Sequence, residues 1–297
     1  MTDNLSYCFI VNGASNGYQA EKFFKRKEKY LSGMFPNAEF HFIQPEESIR
    51  EITAEKAKEF THVVACGGDG TVNKVVNGIM GTNATLGVIP LGSGNDFAQS
   101  IQVDGSFEQS VQIIRKNQVK TIDLINFNDA YIVNTCGIGV DGATNYYAAK
   151  SLFKNSFIKY FLGGLTALIS SDKFGVTLRI SDNEIKIPDK IWMIALANGK
   201  NEGGRYTISP NSDHKDGFFE VVIAKGMSRI RLFIEFLKLS LGFSFDHKVV
   251  DIYSTNKSVY IQVDQPQKAH LDGEQLQPFT EDVFQIIPHA LKVVSAG

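Results

Sequence analysis

Residues 66–81, Cys-Gly-Gly-Asp-Gly-Thr-Val-Asn-Lys-Val-Val-Asn-Gly-Ile-Met-Gly, hold the residue types best suited to phosphate chemistry in this chain. Gly67, Gly68 and Gly70 let the backbone approach a ligand closely. Their N–H groups, with a helix N-terminus behind them, attract an anion. Asp69 is the odd member, because a bare carboxylate repels phosphate. It fits if a divalent cation stands between the two, as in phosphoryl transfer. A tight strand-to-helix turn with Asp69 as a cap is the competing reading. The apolar run Thr61–Cys66 predicts a strand before the glycines, and Val72, Val75, Val76 and Ile79 fall at helical spacing after them. Thr71 stands where that helix starts, so its hydroxyl either caps the helix alone or caps it and faces phosphate.

The same alternation fills the first part of the chain. Tyr7–Val11, Glu39–Ile43 and Thr85–Pro90 read as further strands, and Gln19–Leu31, Ser48–Phe60 and Phe107–Arg115 as helices. Strands alternating with helices predict a parallel sheet covered by helices, with ligands beyond the carboxyl ends of the strands. Three polar glycine loops take that position: Asn12–Gly17, Gly67–Thr71 and Gly92–Asp96. After Lys120 the texture changes. Thr121–Phe127 and Ala130–Thr135 flank Asn128-Asp129, a hairpin signal. Val176–Ile180, Glu184–Pro188, Ile191–Ala197, Phe218–Ala224, Ser258–Val263 and Val283–Ile287 are short strands. Together they predict a largely antiparallel sandwich or barrel, interrupted by helical stretches at Asn155–Ser170 and Ser228–Gly242. The expected division is an α/β domain over residues 1–124, completed by the apolar residues of 288–297, and a β-rich domain over 125–287.

At 297 residues the chain exceeds one ordinary core, which also favours two domains. Its formal charge of −2, without a basic stripe, argues against a nucleic-acid partner. Cys8, Cys66 and Cys136 are odd in number and widely spaced, so buried free thiols in a reducing compartment are expected. The start, MTDNLSYCFIVNG, lacks the pattern of a signal peptide. The apolar stretches Phe157–Ile169 and Ile230–Phe243 are too short or too interrupted by charge to span a bilayer, which makes a cytoplasmic location the expectation.

Taken together, Gly67-Gly68-Asp69-Gly70-Thr71 and Pro90-Leu91-Gly92-Ser93-Gly94-Asn95-Asp96-Phe97-Ala98 resemble the soluble bacterial diacylglycerol kinase and lipid kinase family. Gly137–Ala143, Ala197-Asn198-Gly199 with Gly203-Gly204, Asp216-Gly217 and Asp272-Gly273-Glu274 match it as well, in order along nearly the whole chain. The resemblance implies a phosphofructokinase-like N-terminal α/β domain, a C-terminal antiparallel β-sandwich domain and an active site in the cleft between them. It also implies an ATP-dependent phosphotransferase that uses Mg2+ and an alcohol acceptor on a lipid. Departures from the family pattern are Gly13 in place of a proline, Ser93 in place of threonine and Gln99 in place of a basic residue. A threonine usual at the end of the second strand is not evident near Gln44-Pro45.

By this resemblance the nucleotide site comprises Asn12, Gly13, Gly67, Gly68, Asp69, Gly70, Thr71, Asn73, Gly92, Ser93, Gly94 and Asn95. Asp69 holds magnesium, directly or through water, and Glu274 matches the general base. Asp272 beside it orients the metal or the base, or else Asp272-Gly273 is simply a hairpin turn. Asp123 supports the site or is a solvated hinge, and Asn95 lines the nucleotide or merely caps its turn. Asp213, Asp216 and the Phe218 carbonyl are the implied ligands of a structural, noncatalytic Mg2+, against which stands an ordinary acidic turn. His270 reads as a surface histidine.

A soluble enzyme must still reach its lipid. Arg229, Arg231 and Lys238 lie among Ile230, Leu232, Phe233, Ile234, Phe236, Leu237 and Leu239; Lys154 and Lys159 flank Phe157, Ile158, Tyr160, Phe161 and Leu162. Such stretches suit transient peripheral contact with an anionic membrane surface, or else they pack into the core. An exposed apolar strand edge could also make a homodimer. The competing functions are a kinase of another acceptor (a sphingoid base, phosphatidylglycerol or NAD) and a nucleotide-binding regulatory protein that has lost catalysis.

Overall fold

The computed structural model describes residues 5–13, 15–153, 155–204, 206–243 and 245–296, the side chains of 15–21 and 156 excepted. The chain forms two compact units, Met1–Ile122 with His289–Gly297, and Asp123–Pro288.

In the first unit β1 (Tyr7–Val11), α1 (Ser15–Met34), β2 (Glu39–Phe42), α2 (Ile49–Glu59), β3 (His62–Gly67), α3 (Asp69–Ile79), β4 (Thr85–Pro90), α4 (Asp96–Ser100) and α5 (Phe107–Lys116) follow one another. The strands lie in the order β2-β1-β3-β4, all parallel, with Cys8 beside Val63 and Val63 beside Leu86. Every residue of β1 and β3 is buried, which is why these strands read as unbroken apolar runs. Phe9, Phe24, Phe35, Ile89, Val111 and Ile114 share the core. Ser48 caps α2 by accepting from the Glu51 amide, and Ile49, Thr53 and Ala57 form its inner stripe. A reciprocal Ser106–Gln109 capping box starts α5, and Asn117 at φ 51 ends it. Beside β4, Val293 pairs in parallel with Leu86.

Two helices start earlier than periodicity predicts. Helix α1 starts at Ser15 rather than Gln19, which shortens the first loop to Asn12-Gly13-Ala14. Ala14 lies outside the described residues. Helix α3 starts at Asp69 because Gly68, in an extended conformation, serves as its N-cap. Thr71 is therefore the third helical residue and not the cap.

The second unit takes over within β5 (Val119–Phe127), which turns through Asn128 at φ 51 into β6 (Ala130–Ile132). It continues with β7 (Thr135–Gly139), α6 (Val140–Ala149), α7 (Ser156–Ser170), β8 (Val176–Ile180), β9 (Asn183–Ile185) and β10 (Met193–Ala197). The short β11 (Asn201–Glu202) and β12 (Tyr206–Thr207) precede β13 (Phe219–Ala224), α8 (Arg229–Ser240), β14 (Val250–Thr255) and β15 (Val259–Gln267). Last come β16 (Ala269–Leu271), β17 (Glu274–Gln275) and the long β18 (Phe279–Val294), which ends in the first unit.

One sheet runs β14-β13-β10-β7-β16-β17 and the strands β18-β15-β8-β9 form a second layer, antiparallel throughout. Ile138, Leu196, Phe219, Val259, Ile261 and Phe284 fill the space they share, so the unit is an antiparallel β-sandwich. Helices α6, α7 and α8 contribute Val140, Leu168 and Leu232 to a further apolar cluster with Trp192 and Val222. Helix α6 is absent from the periodicity because it starts abruptly after Gly139, whose φ of 90° breaks the strand pattern. All three cysteines are buried and unbridged, and burial, with Glu39 nearby, pushes the Cys8 thiol up to about 12. Among the described residues no helix is long and apolar enough to cross a membrane.

Candidate active site

At the carboxyl end of the parallel sheet the glycine loops are tied to one another. Asp69 Oδ2 accepts from the Asn95 amide at 2.8 Å and Oδ1 from the Phe97 amide at 3.4 Å. Asn95, left-handed at φ 58, caps α4 and clasps Gly92, accepting from its N–H and donating to its carbonyl, both at 2.9 Å. Asn12 Nδ2 donates to Thr71 Oγ1 at 2.9 Å, and the Leu91 amide donates to the Gly67 carbonyl at 2.8 Å. The loops touch backbone to backbone. A Cβ on Gly92 would stand 2.5 Å from the Gly68 Cα, so close approach requires glycine there.

These contacts alter the expected roles. Asp69 is not a bare carboxylate, because it neutralises amide dipoles at the start of α4 and fastens the β4 loop to the β3 loop. The buried Thr71 hydroxyl is held by Asn12 and Asn95 is engaged within its own turn. Asn73 lies one turn further along α3, where its Oδ1 accepts from Asn77 at 3.2 Å. Gly70 lies in the first turn of α3, whose amides lack intrahelical acceptors, while Ser93 is exposed and Gly94 accepts from Gln99. Next to Asn12 and Gly13 opens a pocket of about 690 Å3, lined also by Gln44, Glu47, Ser48, Arg50 and Lys74. That volume suits a nucleotide-sized ligand. Arg50 and Lys74 carried no signal in the sequence, since each is one charge on a helix rich in polar residues.

The second unit holds the remaining carboxylates. Asp272 and Gly273, at φ 45 and 84, form the tight turn that pairs Leu271 with Glu274. Asp272, expected either to orient a metal or a base or to form a simple hairpin turn, is buried. Its Oδ2 accepts from the Val133 amide at 2.7 Å, and its Oδ1 from the Asn134 and Thr135 amides at 2.7 and 2.9 Å. Three buried donors lock it as the anchor of the turn. Glu274, just after the turn, is exposed. Asp123 is fully buried and no solvated hinge; its Oδ2 accepts from the Gly217 amide at 2.7 Å. It thereby holds the loop of Asp213, Asp216 and Phe218.

In that loop one oxygen of Asp213 accepts from the Lys215 amide at 3.2 Å and one of Asp216 from the Phe218 amide at 2.9 Å. Both carboxylates are exposed. His214 between them is buried, and loss of hydration pulls its imidazole down to about 4.

His270 is the plain misreading. It is wholly buried, with Nε2 2.8 Å from Glu202 Oε1 and 3.6 Å from Asp141 Oδ2. Burial alone would lower its pKa, but the two carboxylates hold it well above the ordinary histidine value. In the neutral ring the Gly273 amide donates to Nδ1 at 3.3 Å, so Nε2 is the nitrogen that carries hydrogen toward the carboxylates in that form. Glu202 is pushed upward, by burial first and then by the charge of Asp141. Asp141 and Glu202 also line a cavity otherwise walled by Val140, Leu168, Met193, Leu232, Phe236 and Leu239.

Comparison with known proteins agrees with this architecture. Residues 6–127 match the diacylglycerol kinase catalytic domain, and residues 134–295 match the YegS C-terminal NAD kinase beta sandwich-like domain. A curated diacylglycerol kinase of Bacillus subtilis (strain 168) is 29% identical over 225 residues, covering 73% of this chain and 72% of its own. A solved diacylglycerol kinase of Bacillus anthracis str. Sterne superposes with a TM-score of 0.76 at 20% identity, over 100% of this chain and 98% of that one. An NAD kinase of Archaeoglobus fulgidus in complex with ATP shares the fold at a TM-score of 0.55 and 11% identity, over 97% and 93% of the two chains. With both units matched in order, the chain belongs to the diacylglycerol kinase family of lipid kinases and is an ATP-dependent kinase.

Proposed function

We propose that this kinase transfers the γ-phosphoryl group of ATP to a lipid hydroxyl, with diacylglycerol as the default acceptor and phosphatidic acid as product. The observation that carries the lipid acceptor is the cavity lined by α6, α7 and α8, whose walls are mostly aliphatic and aromatic. An apolar chain gains from burial there, whereas a soluble dinucleotide has nothing to place in it.

In this reading the first-turn amides of α3 at Gly68–Gly70 and the Gly92–Asn95 loop hold the ATP phosphates, beside Asn12, Gly13, Thr71 and Asn73. Magnesium, when bound, spreads the charge of the β- and γ-phosphates. Asp69, whose two oxygens already accept from the Asn95 and Phe97 amides, suits a water-mediated contact with it. Asp213 and Asp216 each retain an oxygen beyond the turn amide, so with the Phe218 carbonyl they fit a hard, oxygen-bound structural Mg2+. Glu274 accepts the proton of the lipid hydroxyl as its oxygen attacks the γ-phosphorus and the bond to the departing ADP breaks. Asp123 and Asp272 keep two loops of the second unit in place.

Membrane contact is proposed for α7 and α8. Phe157, Ile158 and Leu162, with Ile230, Phe233 and Ile234, are exposed, while Leu168, Leu232 and Leu239 face the core. Arg229 pairs with Asp172, and Arg231 and Lys238 pair with Glu235, so the contact rests on apolar side chains more than on charge.

The test is phosphate transfer from radiolabelled ATP to diacylglycerol, a sphingoid base, phosphatidylglycerol and NAD in mixed micelles. Labelling of diacylglycerol is expected. Labelling of NAD alone, or nucleotide binding without transfer to any acceptor, overturns the reading.

A further inference from the structure

Three buried acceptor oxygens belong to residues that line the apolar cavity. Among the described residues none donates a hydrogen bond to the buried Asp141 Oδ2, Glu202 Oε2 or Asn145 Oδ1, although His270 Nε2 stands 3.6 Å from Asp141 Oδ2. Asn145 is 3% exposed. A buried acceptor left unpaired costs roughly 1–3 kcal/mol, so three together are a standing demand for donors. Asn145 Nδ2 donates to the Gly273 carbonyl at 2.9 Å, which fixes the orientation of its amide. His270 stands behind the two carboxylates, with Nε2 2.8 Å from Glu202 Oε1 and 3.6 Å from Asp141 Oδ2. The third carboxylate of the lining, Glu235, is already paired with Arg231 at 2.9 Å and Lys238 at 3.1 Å. Among the described residues, no lysine or arginine lines the cavity.

Resting on the lipid-kinase reading above, we propose that Asp141, Glu202 and Asn145, braced by His270, form a head-group subsite. It selects an acceptor lipid whose head donates hydrogen bonds or carries a positive charge, and it rejects an anionic head. A hydroxyl-bearing glyceride or an amino alcohol supplies the missing donors. The phosphate of an anionic phospholipid supplies none and would face carboxylates in a medium of low dielectric. The cavity volume is about 80 Å3, room on the order of six small groups at ~10–15 Å3 each. It therefore takes a head and the start of one chain. Because His270 and Asn145 both grip Gly273, the subsite adjoins the turn that carries Glu274.

The test is equilibrium binding, without nucleotide, of three probes of equal chain length presented in neutral detergent micelles: a diacylglycerol, a long-chain amino alcohol and a phosphatidylglycerol. The wild type is expected to bind the first two at least tenfold more tightly than the third. Glu202→Gln and Asp141→Asn should each shrink that preference about tenfold while leaving ATP affinity unchanged. Equal binding of phosphatidylglycerol to the wild type overturns the proposal, and so does an unchanged preference in folded variants. Stoichiometric uptake of Zn2+ or Mn2+ by the Asp141–Glu202–His270 group also overturns it, since the ion would consume the same atoms. If either variant fails to fold, the wild-type ranking decides alone. Selective binding without phosphate transfer would sink the kinase reaction proposed above and leave the subsite standing.

Discussion

Asp69 and Glu274 are both acidic members of glycine-flanked motifs, yet their surroundings separate what their loss should do. Asp69→Asn turns an NH2 group toward the Asn95 or Phe97 amide and loses a charge-assisted hydrogen bond, at a cost of about 1–3 kcal/mol. We expect a lower melting temperature together with lost phosphate transfer. Glu274 is exposed, so Glu274→Gln should leave the melting temperature within the error of a surface change and still abolish transfer. Wild-type turnover by Glu274→Gln would remove it from the role of base.

His62 supplies a pH dependence of known sign. Burial lowers its pKa, against the opposing effect of the hydrogen bond its Nε2 donates to Asn117 Oδ1 at 2.8 Å. The neutral ring is therefore the one the fold prefers. Its stabilising share is complete above the unfolded value of about 6.5 and is lost as pH falls through the folded value. His214, pulled down to about 4, adds a share of the same sign. Thermal melts at about pH 7.5 and 5.5 should show a smaller drop for His62→Gln than for the wild type. Equal drops would deny His62 this share.

The elements show what local pattern can and cannot convey. Strand, glycine turn and helix around residues 62–79 were legible because each signal lies within a few residues of the next. The hairpin at Asn128, the parallel first unit and the antiparallel second unit were legible for the same reason. His270 was not, because Glu202 and Asp141 lie far from it in sequence; pairing of β16 with β7 brings Asp141 near, and Glu202 comes from β11. Nor could spacing reveal that Asp272 is held by three amides of residues 133–135. In such cases the residue type is visible and the partner is not. Helix α3 and the β4 loop offer a test at this scale. Gly92→Ala would push a methyl group into the Gly68 backbone, which cannot swing aside as a flexible side chain does. A lower melting temperature and weaker ATP binding, measured by calorimetry, should appear together. A fall in stability with ATP affinity intact would separate the loop contact from the nucleotide.

At the scale of the molecule, β18 begins in the second unit and ends in the first. Leu291, Val293 and Val294 are buried there, and fully burying each such side chain contributes roughly 1.5–3 kcal/mol. A chain stopped at Pro288 should lose several kcal/mol from the first unit, seen as an early transition in a thermal melt monitored with ATP. An unchanged melt would show the segment to be dispensable.

That crossing strand also dictates an order of events during translation. Between Ile122 and His289 the ribosome must add the 166 residues from 123 to 288, which at ~5–20 residues per second takes roughly ten to thirty seconds. Through that interval the nascent parallel sheet waits with the flank of β4 unmatched by its eventual neighbour, a window in which a chaperone or a stray strand has first access.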